Sequence, residues 1–310
     1  MRWLDFVSRD PVPWLLDPIN PSSRYLTLRD IFQKDKKLLN PDQEQILLWE
    51  PIKLLRAHWD PVSHWGRANA PYYGSAVGSF GTLHMLQQLG APVFPEAQAT
   101  CEALFTSGRT EQGLFIPDSH TAAWLCYTGI ALQVLVHFGF AKDPRTQTTQ
   151  FILVNRILQH PESLSCPMVR GECRDGLVKA LNALLHLPSH QQNQDTTHAI
   201  DILGDKLVDY TYDFAGEDAE WALPRYPRYY DSDLLELCHV LSHTNHRHDA
   251  RLSRIIQTLT SLQDADGKWR KLRQTHSLAI ERIQQPSRWL TYEAVHTLTL
   301  VYGDDIYGPG

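Results

Sequence analysis

Two kinds of helical segment alternate along most of the chain, and this alternation limits the possible folds more than any single motif does. Segments of the first kind are apolar on most of their circumference, whereas each second-kind segment has one apolar stripe and one polar face. The first kind begins near Gly74, His120, Arg174, Asp233 and Arg288, and the second kind at Pro95, Asp143, Asp195 and Asp249. Pairs of helices that recur roughly every 50 residues are typical of a repeat array.

The contrast between the two kinds predicts an inner ring and an outer ring of helices. No segment shows the alternation of a half-buried strand. We therefore predict an all-α fold in which about five to six helical hairpins close into an α/α toroid, with an open helical superhelix as the alternative. Residues 1–23 are expected to pack on the barrel as an extended segment, 24–303 to form the toroid, and 304–310 to form a flexible tail.

The first helices of the toroid have expected starting points. Ser22 or Ser23 is expected to cap a helix over Arg24–Phe32. Asp42 is expected to cap a longer helix that ends near His58.

Composition excludes several classes of function. The chain has 310 residues, 43% of them apolar, and 29 basic residues against 35 acidic ones, which gives a net charge of -6. This balance argues against a nucleic-acid partner. No apolar run is long enough for a transmembrane segment, and the N-terminus lacks the apolar core of a signal peptide. Five scattered cysteines fit reduced thiols, so we predict a cytoplasmic protein, and no protein partner is indicated.

The stretch that follows the helix from Asp249 carries the spacing Gln-x-x-x-Gly-x-Trp at Gln263, Gly267 and Trp269. Glycine permits the positive φ of a tight turn, glutamine can satisfy backbone groups at the helix end, and the indole can cover that end. A variant with Arg109, Gly113 and Phe115 follows the second-kind helix from Pro95. Eroded copies retain only Gln159 or Trp221.

These features resemble the prenyltransferase and squalene-oxidase repeat family, which includes squalene and hopene cyclases and protein prenyltransferase β subunits. The Gln-x-x-x-Gly-x-Trp spacing is the QW motif of that family. The resemblance also covers WLLDPINPSSRYLTLRDIF, RGECRDGLVKALNALLHLP, PRYYDSDLLELCHVL and QPSRWLTYEAVHTL. It implies an α/α toroid with a central apolar cavity that opens at one end, and acid-initiated chemistry on an isoprenoid or other apolar small molecule.

Asp231 and Asp233 are the predicted catalytic residues. Cyclases of this family protonate an alkene with an Asp-x-Asp-Asp motif at a helix start, where burial and neighbouring acids keep one acid protonated. Here the run is Asp231-x-Asp233-Leu234, so the last acid of the motif is missing. The structural interpretation is that one of the two acids caps the following helix.

Ligand-binding residues are expected at the starts of the inner helices, where loops meet helix N-termini. Arg174 is suited to a diphosphate or carboxylate, or to pairing with a neighbouring acid, and aromatic side chains are suited to a carbocation or to the core. The predicted set is Arg174, Asp118, His120, Glu172, Tyr230, Trp124, Tyr127 and Trp289.

We predict no metal cofactor from the sequence, with zinc and magnesium left open. Protein prenyltransferase β subunits hold zinc with Asp-x-Cys and a distant histidine, whereas this chain has Cys173-Arg-Asp175 in the reversed order. The histidines considered with this pair are His120, His186 and His239. Those expected to face solvent are His190, His243, His246 and His248.

Three functions are therefore weighed. The first is an enzyme like the prenyltransferases and terpene cyclases. The second is a carbohydrate-active α/α-barrel enzyme that uses paired carboxylates from Asp118, Glu172 and Asp233. The third is a non-catalytic binding or scaffold protein whose ring is filled by side chains.

Overall fold

The computed structural model describes residues 2–72, 77–116, 123–166, 171–210, 221–272 and 280–303. Within these ranges every regular element is helical, and the other pairings are isolated bridges. The α-helices are α1 (Val12–Leu15), α2 (Pro21–Leu26), α3 (Lys36–Leu48), α4 (Glu50–Ala57), α5 (Ser79–Gln88), α6 (Pro95–Ser107), α7 (Leu125–Leu135), α8 (Pro144–Gln159), α9 (Arg174–Leu185), α10 (Gln194–Asp209), α11 (Leu234–Ser242), α12 (Ala250–Ser261) and α13 (Arg288–Tyr302). None of these helices combines the length and the apolar character needed to cross a membrane.

Six of these helices form the inner ring of the described structure. Around the ring, α5 packs against α7, α7 against α9, α9 against α11, α11 against α13, and α13 against α2. The hydroxyl of Ser22 in α2 donates a hydrogen bond to the carbonyl of Leu89 after α5 (2.8 Å), and this contact closes the ring. The predicted all-α toroid is confirmed, and an open superhelix is excluded.

The outer layer consists of α3, α6, α8, α10 and α12, each packed on an inner helix. Beside α13 the outer position is taken by the N-terminal turn Trp3–Phe6 and by α1. The ring of Phe6 stacks on Tyr302 at the end of α13, with centroids 4.0 Å apart. The N-terminal segment thus packs on the ring, and part of the stretch expected to be extended is helical.

The first two long segments begin earlier than predicted. The cap of α2 is Asn20, whose side chain accepts a hydrogen bond from the Ser23 N–H (2.9 Å), so neither Ser22 nor Ser23 is the cap. Asp42 lies inside α3 and pairs with Arg24 (2.8 Å) instead of capping a helix. Asp42 therefore serves as an ion-pair partner for α2, whereas the sequence predicted that it caps a helix.

Close backbone contact between α7 and α9 explains the small residues of the inner helices. A Cβ atom on Gly129 would lie 2.5 Å from the carbonyl oxygen of Lys179, and one on Gly176 would lie 3.2 Å from the Cβ of Leu125. Only glycine fits at residue 129 without moving the two helices apart. The close approach brings the side chain of Lys179 into the ring.

The connection from α12 to α13 fastens the N-terminal segment to the ring. The amide of Gln263 accepts a hydrogen bond from the Ser8 N–H (2.7 Å) and donates one to the carbonyl of Phe6 (2.9 Å). Gly267 has a φ of 71°, and a Cβ atom there would lie 2.0 Å from the carbonyl oxygen of Arg9. Gln263 and Gly267 of the motif therefore contact the N-terminal segment, which is more than 250 residues away in sequence.

Trp269 joins α12 to α13. Its Nε1–H donates to the carbonyl of Leu259 in α12 (2.8 Å), and its backbone N–H donates to the hydroxyl of Thr291 in α13 (3.0 Å). The backbone N–H of Phe115 makes the matching bond to the hydroxyl of Thr128 in α7 (3.1 Å). The two aromatic residues therefore hold equivalent places in their hairpins.

Candidate functional site: the interior of the ring

The interior of the ring carries three layers of side chains, from the N-terminal to the C-terminal ends of the inner helices. The inner faces of the helices and the connections that precede α5, α7 and α11 supply them. The aromatic layer consists of Tyr72, Phe80, Trp124, Tyr127, Tyr229 and Tyr230. The charged layer consists of Lys179, Arg228, Asp233, Glu236 and Glu293. The histidine layer consists of His239, His243 and His296.

Tyr127 is the centre of the aromatic layer. Five other rings have centroids within 6.4 Å of its own, and the nearly parallel ring of Phe80 is 5.3 Å away. The hydroxyl of Tyr229 donates a hydrogen bond to that of Tyr127 (3.1 Å). Tyr230 is 40% exposed, so the layer reaches solvent at one edge. Ring faces of this kind attract positive charge as well as apolar surface.

Two acids, Asp175 and Asp231, lie beside the aromatic layer. Oδ1 of Asp175 accepts hydrogen bonds from the Ser232 N–H (2.8 Å) and from Nε1–H of Trp221 (3.2 Å). Burial raises the pKa of Asp175 above its ordinary value; the hydrogen bonds from Ser232 and Trp221 and the charge of Lys179 oppose the rise, and the charge of Asp231 adds to it. The side chain of Asp231 is 46% exposed and pairs with Arg225 (3.2 Å). Asp175 is thus half-buried, whereas its neighbour Asp231 meets solvent.

Asp233, predicted to be catalytic, is held by four hydrogen bonds. Oδ1 accepts from the Glu236 N–H (2.9 Å) and from Nη2 of Arg228 (3.0 Å). Oδ2 accepts from the Arg225 N–H (2.8 Å) and from Nε of Arg228 (2.9 Å). A carboxylate can accept about four hydrogen bonds, and these four bonds occupy all of those positions. Asp233 is therefore the N-cap of α11 and the ion-pair partner of Arg228, with no oxygen left to carry a proton to a substrate.

The charged layer fills the middle of the ring. Nζ of Lys179, whose side chain is 0% exposed, lies 2.8 and 2.7 Å from the two carboxylate oxygens of Glu236. Arg228 donates two hydrogen bonds to Glu293 (2.7 and 2.6 Å). Burial raises the pKa of Glu293 to about 7; Arg228 opposes the rise, and Asp233 and Glu236 add to it. The apolar interior predicted from the sequence is thus confined to the aromatic layer, because the next layer consists of ion pairs.

The histidine layer lies beyond the ion pairs and joins α11 to α13. The ring centroids of His239 and His243 are 4.8 Å apart, and those of His239 and His296 are 5.1 Å apart. His243 is exposed at one edge, and the partial desolvation of its ring, together with the nearby His296, lowers its pKa. Burial also lowers the pKa of His239 and of His296. All three imidazoles are therefore neutral at physiological pH.

Two residues of the predicted ligand set, Arg174 and Glu172, contact the periphery of the ring. The guanidinium of Arg174 lies over the ring of Trp221, 4.2 Å from its centroid. Glu172 pairs with Lys206 of α10 and accepts a hydrogen bond from the hydroxyl of Tyr210 (3.2 Å). The structure thus brings Trp124, Tyr127 and Tyr230 of the set together, and places these two beside them.

The remaining members of the set lie elsewhere. Trp289 stacks on Tyr226 with centroids 4.5 Å apart, and its Nε1–H donates to the carbonyl of Gln88 (2.9 Å). These contacts join the start of α13 to the end of α5. Asp118 and His120 lie outside the described residues.

The zinc set implied by the family resemblance does not fit the structure. Cys173 and Asp175 lie at the start of α9, whereas His186 follows its end. A helix of this length spans about 18 Å at 1.5 Å per residue, so these side chains cannot share one ion. His239 lies in the histidine layer, away from Cys173, and His120 is outside the described residues.

The sequence reasoning missed the histidine layer. His239 and His243 have the i, i+4 spacing that places two side chains on one side of a helical turn. His243 is exposed in the turn after α11, as the sequence predicted, but its proximity to His239 was not considered. His296 lies on a helix more than fifty residues later, and only the packing of α13 on α11 brings it to the other two. The i, i+4 spacing could have indicated that His239 and His243 lie close together. Nothing in the sequence indicated that α13 brings His296 to them.

A groove of about 580 Å³ lies outside the ring, beside α2 and α3. Its charged lining residues include Arg24 and Asp42, which neutralise each other (2.8 Å). Other lining residues are Pro18, Ile19, Leu48 and Trp49.

Comparisons with solved structures give distant matches, two of which are structures of the same enzyme. No family model and no curated protein matches the chain. The structure of the type II terpene cyclase MstE from Scytonema with its product merosterolic acid A is 11% identical, with a TM-score of 0.33, and the match covers 91% of this chain and 97% of that one. The apo structure of MstE is 12% identical, with a TM-score of 0.32 and coverage of 83% and 97%. These values are too low to assign a substrate or an activity.

Proposed function

We propose that the aromatic layer binds an apolar alkene of the isoprenoid class and that Asp175 protonates it in a reaction like that of terpene cyclases. One observation carries this proposal: Asp175 is a half-buried carboxyl with a raised pKa, near a second acid and beside a layer of aromatic rings. A general acid must hold its proton until the substrate is in place, and burial beside another acid favours the protonated form. Asp175 thus takes the role predicted for Asp233, and Asp231 keeps a supporting one.

In the proposed step, the O–H bond of Asp175 breaks and its proton goes to the less substituted carbon of a trisubstituted alkene. The π electron pair forms the new C–H bond, and the positive charge develops on the more substituted carbon. A second alkene of the same chain then supplies the electron pair for a C–C bond, and loss of a proton to water ends the reaction. The carboxylate of Asp175 regains a proton from solvent by way of Asp231, which is 46% exposed at its side chain.

The aromatic layer supports the charged intermediate in this scheme. The ring of Phe80 stacks on Tyr127 with centroids 5.3 Å apart, and Trp124 meets Tyr127 edge to face with centroids 5.4 Å apart. A desolvated cation over such a face gains roughly 1 to 2 kcal/mol. Replacing Tyr127 with leucine keeps an apolar lining but removes this attraction, so conversion is expected to fall about tenfold while ligand binding is retained.

The test uses the untagged full chain in deuterated buffer with a panel of linear polyprenes and polyprenyl diphosphates. Product analysis by mass spectrometry is expected to find a cyclised product with deuterium at the protonated carbon. Asp175→Asn is expected to abolish the product, and Asp195→Asn, which changes an exposed acid on α10, is expected to leave it unchanged. Conversion that survives in Asp175→Asn, or ligand binding without any conversion by the wild-type chain, contradicts the proposal.

Among the described residues, no pair of the acids assigned to it supports the alternative of a carbohydrate-active enzyme. It needs two carboxyl groups free to flank a glycosidic bond. Glu172 is paired with Lys206, and Asp233 is paired with Arg228. Of the acids assigned to that alternative, only Asp118 lies outside the described residues.

A further inference from the structure

The histidine layer brings together three nitrogen ligands from two helices. His239 lies on α11, His243 lies one turn later as the C-cap residue directly after that helix, and His296 lies on α13, which packs against α11. One ring nitrogen from each histidine lies within 4.8 Å of those of the other two. In a tetrahedral zinc site, bonds of about 2.0–2.1 Å place the nitrogens about 3.4 Å apart. Binding of an ion therefore requires side-chain rotations that bring the three nitrogens closer together.

The tautomer of His239 is set by its neighbour Thr297. The hydroxyl of Thr297 donates its single hydrogen to the backbone carbonyl of Glu293 (2.8 Å). Its oxygen must therefore accept the hydrogen bond from Nδ1–H of His239 (3.2 Å). Nε2 of His239 then carries a lone pair, which is the form of imidazole that binds a metal.

His296 supplies a second, independent observation. Only 9% of this residue is exposed, and its buried Nδ1 has no hydrogen-bond partner in the described structure. A buried ring nitrogen without a hydrogen-bond partner is unfavourable unless a ligand occupies that position.

We propose that His239, His243 and His296 form a binding site for a first-row transition metal ion, with Zn²⁺ as the preferred ion. Three imidazoles suit Zn²⁺ and related ions, whereas Mg²⁺ requires oxygen ligands. Three protein ligands leave the fourth tetrahedral position to water, which reaches the site at the exposed edge of His243. The site lies at the end of the ring opposite to the aromatic layer, so it is distinct from the place proposed for alkene protonation.

The experiment is a titration of untagged, chelator-treated protein with Zn²⁺ in competition with a chromophoric chelator. The wild-type chain is expected to bind one Zn²⁺ per molecule and to ignore Mg²⁺. His243→Ala and His296→Ala are expected to weaken binding by more than about 100-fold, and Thr297→Val, which removes only the acceptor for His239, by about 10- to 100-fold. His198→Ala, which changes an exposed histidine on α10, is expected to bind like the wild type.

His243→Ala is the decisive variant because its exposed side chain can be removed without opening the core. Circular dichroism of each variant shows whether the helices remain. If folded His243→Ala binds Zn²⁺ as tightly as the wild type, or if the wild type fails to bind one equivalent, the site is not where we propose. Since the Zn²⁺ titration needs no substrate, its result is independent of the activity of Asp175.

Discussion

Replacement of Trp269 tests how the ring is held closed between α12 and α13. The side chain is 1% exposed, and its Nε1–H donates to the carbonyl of Leu259 at 2.8 Å. Trp269→Ala removes the buried indole and leaves a cavity, which costs about 3 to 5 kcal/mol. The lost hydrogen bond adds about 1 kcal/mol at most, because the Leu262 N–H also donates to the same carbonyl (3.2 Å). We therefore expect the free energy of unfolding to fall by about 4 kcal/mol.

Trp269→Phe separates the two contributions. It keeps a buried ring, as Phe115 does in the equivalent place, and loses mainly the bond to Leu259, so the expected loss is about 1 to 2 kcal/mol. Urea denaturation followed by circular dichroism measures both variants against the wild type, with m-values compared for each. If the free energy of unfolding falls by less than about 1 kcal/mol in Trp269→Ala, the reasoning is refuted, because removal of a buried tryptophan from a packed connection is expected to destabilise the protein more than that.

Three further predictions concern the turn, the ion pairs and the pH response. Gly267→Ala places a Cβ atom 2.0 Å from the carbonyl oxygen of Arg9, so limited proteolysis is expected to cleave the N-terminal segment faster than in the wild type. An unchanged rate contradicts the role of this turn in holding the N-terminal segment on the ring. Lys179→Met leaves Glu236 without its closest partner and is expected to lower the free energy of unfolding by about 3 kcal/mol in urea; a change near zero means that the pair is unimportant. Burial lowers the pKa of His137 from 6.5 to about 4, with smaller contributions from its neighbours. Because the folded state disfavours the charged form, this histidine contributes stability above pH 6.5 that is lost as the pH falls toward 4. In thermal or urea unfolding, His137→Gln is expected to reduce the loss of stability between pH 7 and pH 5 by about 2 kcal/mol, and an unchanged pH profile contradicts this.

The architecture of the ring was predictable because helix periodicity and start signals are local properties of the chain. The predicted starts at Pro95, Arg174 and Arg288 are the first residues of α6, α9 and α13. Asp233 and Asp249 are the N-caps of α11 and α12. Small residues such as Gly129 also indicated which helices pack closely. Each of these signals lies within one or two turns of the element that it describes.

The chemistry of the interior was less predictable because it depends on contacts between distant helices. Asp175 was not among the predicted catalytic residues, because its neighbour Asp231 comes from the segment before α11 and is distant in sequence. Asp233 carried the sequence signal of a catalytic acid, but Arg228, from the preceding loop, binds both of its oxygens. A single sequence shows which residues can ionise, whereas burial and partners decide which of them hold a proton.

Protonation of Asp175 is the central claim, and infrared spectroscopy measures it directly. The difference spectrum between the wild type and Asp175→Asn isolates the C=O stretch of its protonated carboxyl, and the same comparison with Asp195→Asn provides an exposed acid as reference. A titration that follows this band is predicted to show Asp175 still protonated above the ordinary value of 3.8. A band that is lost at or below that pH would contradict the assignment of Asp175 as the proton donor.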